Sequence, residues 1–142
     1  MNVSHILTRA LVTIGVRETA LTAAKIMVQN NIGLLVVTDS RAGGKLVGVV
    51  SERDIIRAIA SGRTLETPVD EVCTKNVVTV RGDSDVAEAA KAMNQRAIRH
   101  VVVVDDSNKA VGVVSMRDLV GERATLTAIL RSNEKDVFHG AD

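Results

Sequence analysis

Apolar positions along the chain follow two rhythms. Runs rich in β-branched residues at Val12 to Val16, Leu34 to Thr38 and Lys45 to Val50 predict strands, and Val77 to Arg81, Val101 to Val104 and Ala110 to Val114 predict three more. Ala20, Ala23, Ala24 and Met27, then Val86, Ala89, Ala90 and Met93, recur at spacings of three and four, the stripe of a helix packed on one side. Thr19 in the first set, and Ser84 or Asp85 in the second, stand where a helix cap belongs. Leu34 to Thr38 and Val101 to Val104 are almost unbroken apolar runs, which predicts burial on both faces. Asp39 to Lys45, with Gly43-Gly44, and Asp105 to Lys109 read as hairpin turns. Short helical turns are predicted at Val3 to Leu7 and at Val69 to Val72, and the pattern after Val120 is helical to about Leu130.

The two sets are copies of one unit. Val47-Gly48-Val49-Val50-Ser51-Glu52-Arg53-Asp54 returns as Val111-Gly112-Val113-Val114-Ser115-Met116-Arg117-Asp118, seven of eight identical at a spacing of 64. Upstream the spacing is 66, as in Ile32 against Ile98 and Val12-Thr13-Ile14 against Val78-Thr79-Val80. The change falls between Asp39 and Lys45, so repeat 2 loses two residues in its hairpin turn, where backbone length is free to vary. The chain therefore divides into repeat 1 at 3–66, repeat 2 at 67–125 and a helical tail at 126–142 that is expected to fray at its end. Each unit of strand, helix, strand, strand and helix is small for a fold on its own, and two units sharing a core are expected.

Composition narrows the function. Hydrophobic residues make up 46% of the 142 residues, an ordinary globular share, but the aromatics are one Phe with no Tyr and no Trp. The core must be aliphatic. Up to Pro68 there are eight bases and five acids, and after it ten bases and twelve acids, so neither part carries the basic footprint of a nucleic-acid binder. Base stacking would have only Phe138 to use. Nucleic acid is an unfavoured partner. No apolar run has the ~20 residues of a membrane span, and a cytoplasmic protein without a membrane partner is expected. Cys73 reads as a small core residue, and His5, His100 and His139 stand too far apart in sequence for a metal motif. No phosphate-binding loop, dinucleotide fingerprint or nucleophile elbow is present, so no catalytic residue and no enzyme activity are expected.

The chemistry that remains is the doubled Ser-x-x-Asp, at Ser51 to Asp54 and Ser115 to Asp118, each where a strand passes into a helix. Two readings stand side by side. One is an acidic capping box. The other is a ligand site, with the carboxylate accepting ribose hydroxyls and the helix start receiving a phosphate. Gly48 and Gly112 lie inside strands, where glycine weakens the sheet unless something approaches the backbone closely.

These residues resemble a tandem pair of cystathionine-β-synthase (CBS) domains, the arrangement called a Bateman module. The family's Gly-hydrophobic-x-Ser/Thr-x-x-Asp/Asn motif is met by Gly48 to Asp54 and again by Gly112 to Asp118, and Ile98 to Asp105 is similar to the segment ahead of its hairpin. The resemblance implies an α+β fold of two β-α-β-β-α repeats related by a pseudo-two-fold axis, their sheets packed into one core. It also implies two clefts for adenosine-containing ligands and no required cofactor. AMP, ADP or ATP is the expected ligand class, with S-adenosylmethionine or a dinucleotide as alternatives, along with nucleic-acid binding as reported for some members. One cleft is expected to join Ser51, Arg53 and Asp54 to Val78, Thr79, Ile98, Arg99 and His100. The other is expected to join Ser115, Arg117 and Asp118 to Val12, Thr13, Ile32, Gly33 and Leu34. Arg99 and His100 are the candidates for phosphate, although a solvated arginine and a half-buried strand histidine are the plainer readings. Regulation through an unknown protein partner or a homodimer is the expected output.

Overall fold

The computed structural model describes residues 1–7 and 9–120, so the predicted tail at 126–142 lies outside the described residues. Repeat 1 forms β1 (Thr13–Gly15), α1 (Ala20–Asn30), β2 (Leu34–Asp39), β3 (Lys45–Ser51) and α2 (Glu52–Ala60). Repeat 2 forms β4 (Thr79–Arg81), α3 (Val86–Arg96), β5 (His100–Val104), β6 (Ala110–Ser115) and α4 (Met116–Val120). Each strand lies within two residues of the run that predicted it, and α1 and α3 begin at Ala20 and Val86, the first residues of their stripes, and end three residues beyond them.

Local chemistry explains the helix ends. Thr19 caps α1 by accepting from the Thr22 amide, and Asp85 caps α3 by accepting from the Ala87 amide. Both helices end on a left-handed residue, Asn31 at φ 52° and Ala97 at φ 52°. In the shorter hairpin, Asp105 Oδ1 accepts from the amides of Ser107 and Lys109, which closes the turn without a glycine.

Each repeat builds a three-stranded sheet, in the orders β1-β2-β3 and β4-β5-β6. The first pair is parallel and the second antiparallel, with Thr13 opposite Val36 and Leu34 opposite Ser51, then Thr79 opposite Val102 and His100 opposite Ser115. Alternation along the central strands sorts the cores. Leu35, Val37 and Val50 face α1 and α2 with Ala20, Ala23, Met27 and Ile55, and Val101, Val103 and Val114 do the same for repeat 2 with Ala89, Met93 and Leu119. Val36, Val102 and Val104 point the other way and meet between the sheets, flanked by Leu46, Val49 and Val113. Both central strands are buried on both faces, as their unbroken apolar runs predicted.

The turns that precede the repeats are exchanged. Val3, Ile6 and Leu7 pack into the core of repeat 2, while Val69, Val72 and Cys73 pack into the core of repeat 1. Matching hydrogen bonds hold both: Val3 N donates to Ser84 O at 2.8 Å and Val69 N to Glu18 O at 2.7 Å. Ser4 N donates to Gly82 O and Asp70 N to Val16 O in the same correspondence. This reciprocity is the pseudo-two-fold relation of the two repeats. Among the described residues no helix is long and apolar enough to cross a membrane.

Candidate functional site

The parallel strands of each sheet start at the edge where the last strand ends, so three polar junctions converge there. In repeat 1 Leu34 at the start of β2 lies opposite Ser51, and β1, opening at Val12 and Thr13, flanks β2 on its other side with Thr13 opposite Val36. In repeat 2 His100 lies opposite Ser115, and Thr79 on the other side of β5 lies opposite Val102. Val12 and Ile32 are half-buried against the first helix-facing core and Val78 and Ile98 against the second, while Thr13 and Thr79 are exposed. The resemblance had implied that strand openings join the Ser-x-x-Asp of the opposite repeat. Across the repeats the Glu52 carboxylate acts on the His100 imidazole, and within each sheet Leu34 lies opposite Ser51 and His100 opposite Ser115, with Glu52 N donating to Gly33 O and Met116 N to Arg99 O. Antiparallel pairing of adjacent strands dictates the in-sheet neighbours, because the hairpin returns β3 and β6 to the start of β2 and β5.

Both Ser-x-x-Asp pairs form capping boxes. Asp54 N donates to Ser51 Oγ at 3.2 Å and Ser51 N to Asp54 Oδ2 at 2.9 Å, and Asp118 with Ser115 repeats this at 3.1 and 2.8 Å. Beyond the box the two carboxylates differ. Asp54 is 6% exposed, the one buried charged side chain among the described residues. Its Oδ2 also accepts from Ser51 Oγ at 3.0 Å, and its Oδ1 from Thr74 Oγ1 at 3.1 Å and Arg57 Nη1 at 3.5 Å. A carboxylate has about four acceptor positions, so only the long bond from exposed Arg57 is easily exchanged for a ligand hydroxyl. Asp118 is half-buried, and Ser115 N is its one donor among the described residues.

Thr74 was not singled out in the sequence. It reaches Asp54 from twenty residues away because it follows the exchanged turn and bridges β3: Val49 N donates to Thr74 O at 2.9 Å and Thr74 N to Val49 O at 2.8 Å. The same approach accounts for Gly48, where a Cβ would stand 2.5 Å from Thr74 O. At Gly112 a Cβ would meet Leu7 Cδ2 at 2.8 Å. The close approach at the motif glycines is therefore made by the exchanged turns.

Charges from both repeats gather around His100. His100 shares its side of β5 with Val102 and Val104, the side that meets the other sheet. Burial lowers the His100 pKa below the ordinary imidazole value, Asp118 and then Glu52 raise it in part, and Arg99 and Arg117 lower it further. Arg99, Arg117 and Arg53 are exposed. In repeat 1 the carboxylate of Glu52 stands over Gly33, 3.0 Å from where a Cβ would be. No group of three His, Cys, Asp or Glu suited to a metal ion occurs among the described residues.

Comparisons with known proteins agree with this fold. The family model described as "CBS domain" matches residues 3–61 and 69–124. A solved CBS domain protein from Pyrobaculum aerophilum, complexed with AMP, is 37% identical and superposes with a TM-score of 0.84 over 92% of this chain and 99% of its own. The CBS domain pair of protein MJ0100, complexed with 5′-methylthioadenosine and S-adenosyl-L-methionine, is 33% identical, with a TM-score of 0.78 over 85% of this chain and 94% of that one. The CBS domain-containing protein YhcV of Bacillus subtilis is 34% identical over 83% of this chain and 82% of its own length. With two matching motifs, two exchanged turns and two sheets sharing one core, this chain belongs to the CBS-domain family as a tandem pair of its domains.

Proposed function

We propose that this CBS pair is an adenosine-ligand-binding regulatory module of the AMP, ADP or ATP class, acting through a change in what it binds rather than by catalysis. The observation that carries the reading is the charge gathered around half-buried His100, on which Asp118 and Arg117 of repeat 2 and Glu52, next to the Ser51–Asp54 box of repeat 1, act together with Arg99. Val78 and Ile98 form an apolar flank for a base, and Thr79 is an exposed hydroxyl. Support from relatives comes from the AMP complex of the Pyrobaculum aerophilum protein and the adenosyl complexes of the MJ0100 pair.

The test is direct. The chain has no Trp or Tyr, so absorbance near 260 nm of the purified protein reports bound nucleotide almost alone. AMP at a hundred times its dissociation constant is expected to stabilise the fold by about 2.7 kcal/mol, a shift of several degrees in melting temperature. An unmoved melting curve with millimolar AMP, ADP, ATP and adenosine would remove the reading.

The exposed apolar residues support a homodimer as the assembled form. Ile56 on α2 is 65% exposed and its repeat-2 counterpart on α4, Val120, is 47% exposed, with Ile59 and Met116 beside them. Sedimentation or light scattering of wild type and Ile56→Glu tests this, with loss of dimer in the variant as the expected result.

A further inference from the structure

Two positions that differ between the repeats fall on one meeting point between them. His100 corresponds to Leu34 at a spacing of 66, and Glu52 corresponds to Met116 at 64. His100 stands two residues ahead of Val102, and Leu34 two ahead of Val36. Each therefore continues, at the opening of its central strand, the face along which the two sheets meet. Glu52 begins α2 directly after Ser51, which lies opposite Leu34, and Met116 begins α4 directly after Ser115, which lies opposite His100. The pseudo-two-fold relation carries the pair Glu52 and His100 onto the pair Met116 and Leu34. One side of the interface is titratable where its equivalent is apolar.

The charges around His100 decide what a proton does there. Asp118 and Arg117 belong to α4, Arg99 precedes β5, and Glu52 acts from the start of α2. Of these four only Glu52 belongs to the other repeat. Asp118 is already engaged by Ser115 N at 2.8 Å. The Glu52 side chain is exposed, and its Oε1 lies over Gly33, 3.0 Å from where a Cβ would stand, so a larger residue there would displace the carboxylate. A neutral imidazole offers that carboxylate little attraction. An imidazolium offers an opposite charge at a half-buried position, where screening is weaker than on the open surface. Burial, Arg99 and Arg117 hold the His100 pKa below the ordinary value, so the attraction is absent at pH 8 and arises in mild acid.

We propose that Glu52 and His100 form a proton-operated clasp between the two repeats. With His100 neutral, this side of the interface is held by the sheet-to-sheet core alone. With His100 protonated, the start of α2 is held to the opening of β5 as well. The equivalent side, Leu34 and Met116, does not respond to pH, so a proton tightens the interface on one side only. Glu52 lies inside the Ser51–Asp54 box and His100 lies opposite the Ser115 of the other, so the clasp ties the two capping boxes together. A proton is then an input to the module that needs no other ligand.

Imidazole proton NMR on the full chain tests this without any ligand, with His100→Gln identifying the His100 signal among those of His5, His100 and His139. Wild-type His100 is expected to titrate below about 6.5, and Glu52→Gln to lower its midpoint by a further ~0.3–0.7 pH units. Glu66→Gln, which removes an exposed carboxylate from the linker, is expected to leave the midpoint in place. Urea unfolding of wild type, Glu52→Gln, His100→Gln and the double variant completes a cycle. At pH 5 the pair is expected to raise the folding equilibrium constant about two- to fivefold beyond the separate effects, and at pH 8 this coupling is expected to vanish. The same midpoint in wild type and Glu52→Gln, an equal shift in Glu66→Gln, or a coupling unchanged between pH 8 and pH 5 would each overturn the clasp. None of these results bears on the nucleotide reading, since no nucleotide is present.

Discussion

Replacing Gly48 by alanine drives a methyl group into the linker between the repeats. Its Cβ would stand 2.5 Å from the carbonyl oxygen of Thr74, 3.2 Å from the carbonyl carbon and 3.3 Å from Cys73 Sγ. The obstacle is backbone, and two hydrogen bonds to Val49 hold it in place. Relief means giving up both, at about 1 kcal/mol each, and moving Thr74 off the buried Asp54 carboxylate, at about 1.5–3 kcal/mol for a bond to a charged group. The expected loss is about 3.5–5 kcal/mol. Gly112→Ala is the internal control, because its methyl meets Leu7 Cδ2 and Cδ1, the far end of a side chain that can rotate. Overpacking of that kind costs roughly 1–3 kcal/mol, and Gly112→Ala combined with Leu7→Ala should recover part of the methyl's own cost. Urea unfolding followed by circular dichroism measures all of these. Equal losses for the two glycine variants would refute the argument that backbone obstruction differs in kind from side-chain obstruction.

Three further outcomes follow from the same geometry. Thr74→Val removes one donor from buried Asp54 and is expected to lower stability by about 1–3 kcal/mol, whereas Thr74→Ser should keep most of it in the same unfolding assay. Because the fold lowers the His100 pKa, the unfolded chain binds its proton more readily. This contribution to stability is present above the ordinary value of about 6.5 and is lost as pH falls through the folded-state pKa, so melting temperature should drop more steeply between pH 7 and 5 in wild type than in His100→Gln. Bound AMP should flatten that slope, since phosphate favours the protonated ring. Ala97→Asn, which copies Asn31 at the same left-handed helix end, is expected to stabilise by up to about 1 kcal/mol in thermal unfolding.

The repeat, the hairpin shortening and the strand and helix positions were legible because each leaves a mark of fixed period in the sequence. The capping boxes were legible too, since Ser and Asp three apart need only local backbone to meet. Thr74 was not. Its bond to Asp54 spans twenty residues and depends on where the exchanged turn comes to rest, which no local rhythm records. The glycines gave half the signal: their place inside strands announced a close approach, but not that Thr74 and Leu7 make it. The carboxylate over Gly33 needed coordinates. Comparing Glu52 with Met116 in the aligned repeats was the available clue, since they are the one mismatch in an eight-residue match.

The exchanged turns bear on the order in which the fold assembles. Repeat 1 has its full core only once Val69, Val72 and Cys73 have been made, and Val3, Ile6 and Leu7 have no docking place until repeat 2 exists. During synthesis, where folding proceeds from the N-terminal side, the first half closes on a segment borrowed from the second. The leading turn then waits for almost the whole chain before it is buried. A fragment cut at the apparent boundary near Pro68 would leave each half with an open groove shaped for a piece of the other. Two such fragments mixed together should seek each other out, and their recombination would report on the native pairing more faithfully than either half alone.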